Sequence, residues 1–214
     1  MPRDFTPLEL QVRSTFSINK VLLFILICVV KFALLYLKKS FIIDEIAAFR
    51  FMDMSQLSVF NLKAGIEFSS SPVVYAWKFS LTAFAIWVGC FLWGYRVHYN
   101  KCWQIVMIAE VIFFIPELLK ILWFLFVDNT PTYWDVQSFY PLSYMNFFDH
   151  ELVAKKYWYP NMAVNVFEIL YWVALTYGID FVARKKKKIA NYIVFTSYVP
   201  LFILWLWFYM AVYK

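Results

Sequence analysis

Two carboxylates and an amine interrupt one of the most apolar stretches of this chain. Glu110, Glu117 and Lys120 lie in or beside IAEVIFFIPELLKILWFLF, which runs from Ile108 to Phe126. Acids and amines in an oily segment can bind or relay a proton or a cation. They can equally pair with groups on neighbouring segments and fix how those segments pack. Lys31 and Glu168 are also deep in apolar runs, while Lys78 and Asp180 lie nearer the ends of theirs. Even on the gentlest insertion scale a central Lys or Asp costs about 2.5–3.5 kcal/mol, so these side chains are expected to face a bundle interior and find partners there.

The elements that must position them follow from composition. Of 214 residues, 63% are hydrophobic, 23% aromatic and 16% charged, and the mean hydropathy is +0.63. A soluble domain of this length cannot hide that much apolar surface. Five runs are long enough to cross about 30 Å of hydrocarbon: Val21 to Leu37, Val73 to Tyr95, Trp103 to Val127, Met162 to Ala183 and Ala190 to Tyr213. Backbone amides in lipid must be satisfied within their own segment, and the period-two alternation of a barrel is absent, so the runs predict helices. The expected fold is an all-α bundle of five transmembrane helices in a single domain, residues 1–214.

Lysine and arginine placement sets the expected orientation. With a cytoplasmic N-terminus, one side holds Arg3, Arg13, Lys20, Arg96, Lys101 and the run Arg184 to Lys188. The other holds Lys38, Lys39, Arg50, Lys63, Lys155, Lys156 and Lys214. The first set lies in shorter segments, where the bias counts most, which predicts N-in and C-out. The first run is followed by Lys38 and Lys39 rather than a small-residue cleavage site, so it reads as an uncleaved span. The basic run reads as a topology anchor, and the whole as a multi-pass protein of a bacterial cytoplasmic membrane.

Two outward segments remain. Residues 38–72 contain FIIDEIAAFRFMDM, whose Ile42, Ile43, Ile46 and Phe49 share one helical face and suggest an interfacial helix. There Ser71 is expected to cap, and Pro72 to open, the second span. Residues 128–160 are rich in aromatics. Most of these suit an interfacial belt, and Tyr133, Trp134, Tyr157 and Trp158 are candidates for docking a partner.

Depths counted at 1.5 Å per residue from the middle of each run place Lys31 and Glu117 together, about 3 Å to the outer side of the midplane. Lys120 and Glu168 match at about 7 Å on the same side. The predicted pairs are therefore Lys31 with Glu117 and Lys120 with Glu168, tying spans one, three and four together. Glu110 and Glu117 are seven residues apart, with Lys120 three further on, which places all three in one helical sector. Glu110 falls about 7 Å to the cytoplasmic side with no cation at its level, nearest the hydroxyls of Thr176 and Ser197. It is expected to be neutral there, and it is the one candidate proton or ion site. Pro116 and Pro200 can kink their helices. Four glycines and no GxxxG seam point to a bundle filled by Phe, Trp and Leu.

Other chemistry finds little support. HExxH, GxSxG and the P-loop do not occur. In FFDHELVAKK, Asp149, His150 and Glu151 are adjacent and share no helical face, so no metal site is expected, and Asp149 is a better local cap. Cys28, Cys90 and Cys102 form no CxxC pair and read as buried thiols. The net charge of +6 concentrates beside apolar runs rather than on a face carrying stacking aromatics, which argues against nucleic acid. No cofactor and no catalytic residue is assigned. The favoured reading is a non-catalytic subunit of a larger membrane assembly, related to transport or secretion, contacting lipid and other membrane subunits. The alternative is a small proton- or cation-coupled channel or carrier using Glu110, Glu117 and Lys120.

Overall fold

The computed structural model describes residues 19–43, 54–128, 131–183 and 187–213, which are helical with short connections and contain no strand. Helix α1 spans Lys20–Lys38 and opens on Asn19, whose side chain accepts a hydrogen bond from the Val21 amide at 3.0 Å. A π-helical turn, Lys39–Ile43, continues it. Arg3 and Arg13, most of the expected interfacial helix at 44–53, and Arg184 to Lys186 lie outside the described residues.

Helix α2 runs from Met54 to Leu92, straight through Pro72. The expected start of a span at Ser71 and Pro72 is therefore corrected. Proline removes the donor that the Phe68 carbonyl would use, and the Ser71 hydroxyl donates back to the Glu67 carbonyl at 2.6 Å. Phe68 stacks on Phe32 of α1, with centroids 6.2 Å apart and planes at 2°, which packs the helix against α1 one turn before the proline.

The end of α2 is specified locally. Gly94 adopts φ +73°, where a side chain would be strained. The Tyr95 amide donates to the Cys90 carbonyl at 2.8 Å and the Gly94 amide to Phe91 at 3.0 Å, the two bonds of a Schellman cap. This cap folds the chain back into α3, Tyr99–Glu110.

The third apolar run is not a single helix. Helix α3 gives way to a 3₁₀ turn, Val111–Phe113, before α4, Phe114–Phe126. Pro116 cannot donate to the Ile112 carbonyl four residues back, and the break falls around that carbonyl. Among the described residues, four helices are long and apolar enough to cross a membrane: Lys20–Ile42, Gly65–Leu92, Val166–Ala183 and Ile189–Val212. They fit a multi-pass membrane protein, and the interrupted third run is not one of them.

Beyond α4 lie the short helices α5 (Tyr133–Ser138) and α6 (Trp158–Ala163), then α7 (Val166–Ala183) and α8 (Lys187–Val212). Pro200 sits inside α8 without ending it. Helix α5 opens on a capping box: the Asp135 amide donates to the Thr132 hydroxyl at 3.2 Å, and the Thr132 amide to the Asp135 carboxylate at 2.8 Å.

Helices α2, α3, α7 and α8 pack as a ring, with α1 against α2 and α4. Phe79, Ile86, Ile105, Tyr171, Leu175 and Ile193 lie in its core. A second cluster of Leu34, Ile42, Ile121, Phe124 and Val136 joins α1, α4 and α5. Two glycines carry the closest crossings. A Cβ on Gly178 would stand 2.5 Å from Ile105, and one on Gly89 would stand 2.7 Å from Ser197. The small residues thus work at helix contacts without any GxxxG spacing.

Candidate functional site

The site grows out of the ring and the helix beside it. Lys31 of α1 forms an ion pair with Glu117 of α4, the pairing expected from equal depth. Both side chains are partly buried, and the bond fixes α1 against the second half of the third run.

Glu110 is held differently from its expectation. Its Oε1 accepts from the Lys78 ammonium at 2.6 Å. The carboxylate side chain is 2% exposed and the lysine 40%. The expectation of no cation at its level, with Thr176 and Ser197 nearest, is corrected. The Ser197 hydroxyl instead donates to the Ile193 carbonyl of its own helix at 2.6 Å. Depth counted from the middle of each apolar run misplaced Lys78. Counted from the turn that α2 and α3 share, Lys78 lies about 21 Å away and Glu110 about 17 Å, close enough for a lysine to reach. The Lys78 ammonium also stands 4.6 Å from the centroid of Phe113, a cation–π contact at the 3₁₀ turn.

The 3₁₀ turn separates the two acids. It advances about 120° per residue where an α-helix advances about 100°, so three residues rotate α4 by about 60° relative to α3. The turn moves Glu117 from about 20° behind Glu110 to about 40° ahead of it, and Glu110 meets Lys78 of α2 while Glu117 meets Lys31 of α1.

Lys120 and Glu168 do not pair, which corrects the second predicted pair. The Lys120 ammonium donates to the carbonyls of Val136 and Phe139, at 2.5 and 2.7 Å. These lie at the C-terminal end of α5, where backbone carbonyls lack helical partners and the helix dipole favours a cation. Glu168 accepts from Trp172 Nε1 at 2.9 Å and from the Tyr198 hydroxyl at 2.8 Å. Its backbone amide donates to Asn165 at 2.8 Å, an N-terminal cap on α7. Each side chain is held by its own partners instead.

Among the described residues, Glu110 Oε2 is a buried oxygen without a hydrogen-bond partner. The Tyr171 ring packs between Phe113, at 5.1 Å, and Tyr198, at 5.4 Å. Tyr171 and Tyr198 therefore lie between the carboxylates of Glu110 and Glu168. The sequence singled out Lys78 as a charge near the end of its apolar run but gave it no partner, and it did not single out Tyr171 or Tyr198. The one available signal was Lys78 itself, a cation inside an otherwise apolar run.

The aromatic segment builds its own small core. Trp134 meets Trp158 edge-on at 6.0 Å, His150 meets Trp158 at 5.8 Å, and the Lys155 ammonium stands 3.6 Å above Trp134. Trp158 is buried and donates to the Val153 carbonyl at 2.9 Å. Trp134 and Tyr157 remain exposed, and Tyr133 packs edge-on against Trp134 at 5.4 Å. His150 Nε2 lies 3.4 Å from Asp135. Burial, reinforced by the carboxylates of Glu117 and Glu168, raises the Tyr140 phenol above its ordinary range, so it stays protonated at neutral pH. Among the described residues no group of three His, Cys, Asp or Glu could hold a metal ion. Cys28, Cys90 and Cys102 are free and buried.

No protein-family model matches the chain, and neither a curated protein nor a solved structure matches it.

Proposed function

We propose that this chain is a non-catalytic integral membrane subunit of a larger assembly, of the transport or secretion kind. In this reading it crosses a bacterial cytoplasmic membrane five times, N-in and C-out, the broken α3–α4 segment making the third crossing. The observation that carries it is the use of the intramembrane charges. Lys31, Glu110, Glu117, Lys120 and Glu168 each hold a partner within the chain. Charges spent in this way fix helix order and supply rigidity, which is what a scaffold requires. Trp134 and Tyr157, exposed over the buried Trp158, are the surface on which other membrane subunits dock, with Tyr133 beside them.

The test is recovery of the tagged chain from its own membranes in mild detergent after cross-linking. A defined membrane partner should be recovered with the unaltered chain and lost with the W134A/Y157A variant, while the variant keeps its thermal transition. Flux or turnover by the purified chain alone in liposomes would overturn the proposal.

A second reading rests on one observation, the unpartnered Glu110 Oε2. A carboxylate with one oxygen on Lys78 and the other free can accept a proton or a cation, as a carrier using Glu110, Glu117 and Lys120 would need. Proton-driven uptake of a fluorescent pH reporter in proteoliposomes, abolished by Glu110→Gln, would support it; no flux from the unaltered chain would sink it.

A further inference from the structure

The two most exposed large apolar side chains among the described residues lie outside the four apolar spans. They are Leu152, at 86%, and Phe147, at 82%. Leu142 and Tyr144 are exposed beside them. Such a patch in water is unfavourable, and its place in the fold indicates what covers it.

The chain at residues 142–144 is bonded to the start of α7. The Tyr144 amide donates to the Val164 carbonyl at 2.9 Å and the Val166 amide to the Leu142 carbonyl at 3.2 Å, around an antiparallel bridge between Ser143 and Asn165. Val166 is the first residue of one of the four apolar spans. The patch is thereby pinned at the height where that span begins. A 3₁₀ turn, Tyr144–Phe147, then carries the chain to Phe147. Three residues of 3₁₀ helix rise about 6 Å, comparable with the roughly 5–7 Å of polar interface that flanks the hydrocarbon on each side. Leu152 follows on a turn closed by its amide donating to the Asp149 carbonyl at 3.1 Å.

The surrounding charges decide the kind of lipid. Asp149 and Glu151 balance Lys155 and Lys156, whose ammonium groups already lie over the rings of Trp134, at 3.6 Å, and Tyr157, at 5.0 Å. We propose that residues 142–152 form a membrane foot: Phe147 and Leu152 insert into the headgroup–acyl boundary of the leaflet where α7 begins. Apolar burial holds them there, and anionic lipid is not required. Val166, whose amide bonds to Leu142, is itself exposed, as are Ile169 and Leu170 further along α7.

Nitroxide labels on cysteines placed singly at positions 147, 149 and 152, in phosphatidylcholine nanodiscs, test the proposal. The three native cysteines are buried and stay unlabelled. Labels at 147 and 152 should collide with oxygen in preference to a water-soluble nickel chelate, and more so than the label at 149. Adding anionic lipid should leave their depth unchanged. Preference for nickel at 147 and 152 overturns the proposal, as does a depth that depends on anionic lipid. Immobile labels closed to both reagents would mean that a second copy covers the patch, which also overturns it. Hydroxyl-radical footprinting of the unaltered chain gives an independent reading. Phe147 and Leu152 should label several-fold less than Tyr157 after correction for intrinsic reactivity; equal labelling counts against the foot.

Discussion

Lys78 of α2 donates to Glu110 at the end of α3 across a distance of 2.6 Å, with the carboxylate buried and the lysine partly open. The pair stands where the third apolar run breaks, so one ion pair serves two ends. It compensates a buried charge, and it anchors the last residue of α3 beside the 3₁₀ turn.

Lys78→Met should destabilise the chain by about 3 kcal/mol, the low end for breaking a buried pair because the lysine is partly exposed. Adding Glu110→Gln should recover most of the loss, since no uncompensated charge then remains. Unfolding titrations in mixed micelles read both; a double-variant loss equal to the sum of the Lys78→Met and Glu110→Gln losses would show that the pair carries no coupling.

Lys31 and Glu117 should tolerate exchange. K31E or E117K alone places like charges in contact, whereas K31E/E117K restores an opposite pair with reversed sense. The single variants should unfold earlier than the parent and the double variant should return most of the way. A double variant worse than either single one would mean that local surroundings, not the pairing, dominate.

Lys120→Met removes the cation from the C-terminal carbonyls of α5. Hydrogen bonds to a charged donor contribute about 1.5–3 kcal/mol, so the effect should be local and measurable. Amide exchange should accelerate across residues 133–140 while the ring of α2, α3, α7 and α8 keeps its protection. Unchanged exchange in α5 would refute the capping role.

Gly178→Ala brings a Cβ to 2.5 Å from Ile105 and should cost about 1–3 kcal/mol by overpacking the α3–α7 crossing. Combining it with Ile105→Ala, which removes both γ carbons facing that Cβ, should cost less than the sum of the two single losses. Additive losses in the two single variants would place the strain elsewhere.

The sequence by itself determined the helical, membrane-spanning character of the chain, because apolar run length and backbone satisfaction in lipid leave few alternatives. It also led to the expectation that the charges of the apolar runs find partners within the chain, and it matched Lys31 to Glu117 by counted height. The Schellman turn at Gly94, which ends α2 short of the Tyr95 expected, and the capping box at Thr132 and Asp135 went unread, although both rest on local residue patterns. Only the tertiary structure decided which groups meet. Lys78 reaches Glu110 because α2 and α3 are registered from a shared turn, not from the centres of their apolar runs. Lys120 leaves Glu168 for the carbonyls of α5 because the segment that follows α4 folds back beside it. Height along an axis can be counted from residue number, but rotation about the axis depends on breaks such as Val111–Phe113 and on the neighbours packed alongside. The choice of partner is settled by that second coordinate.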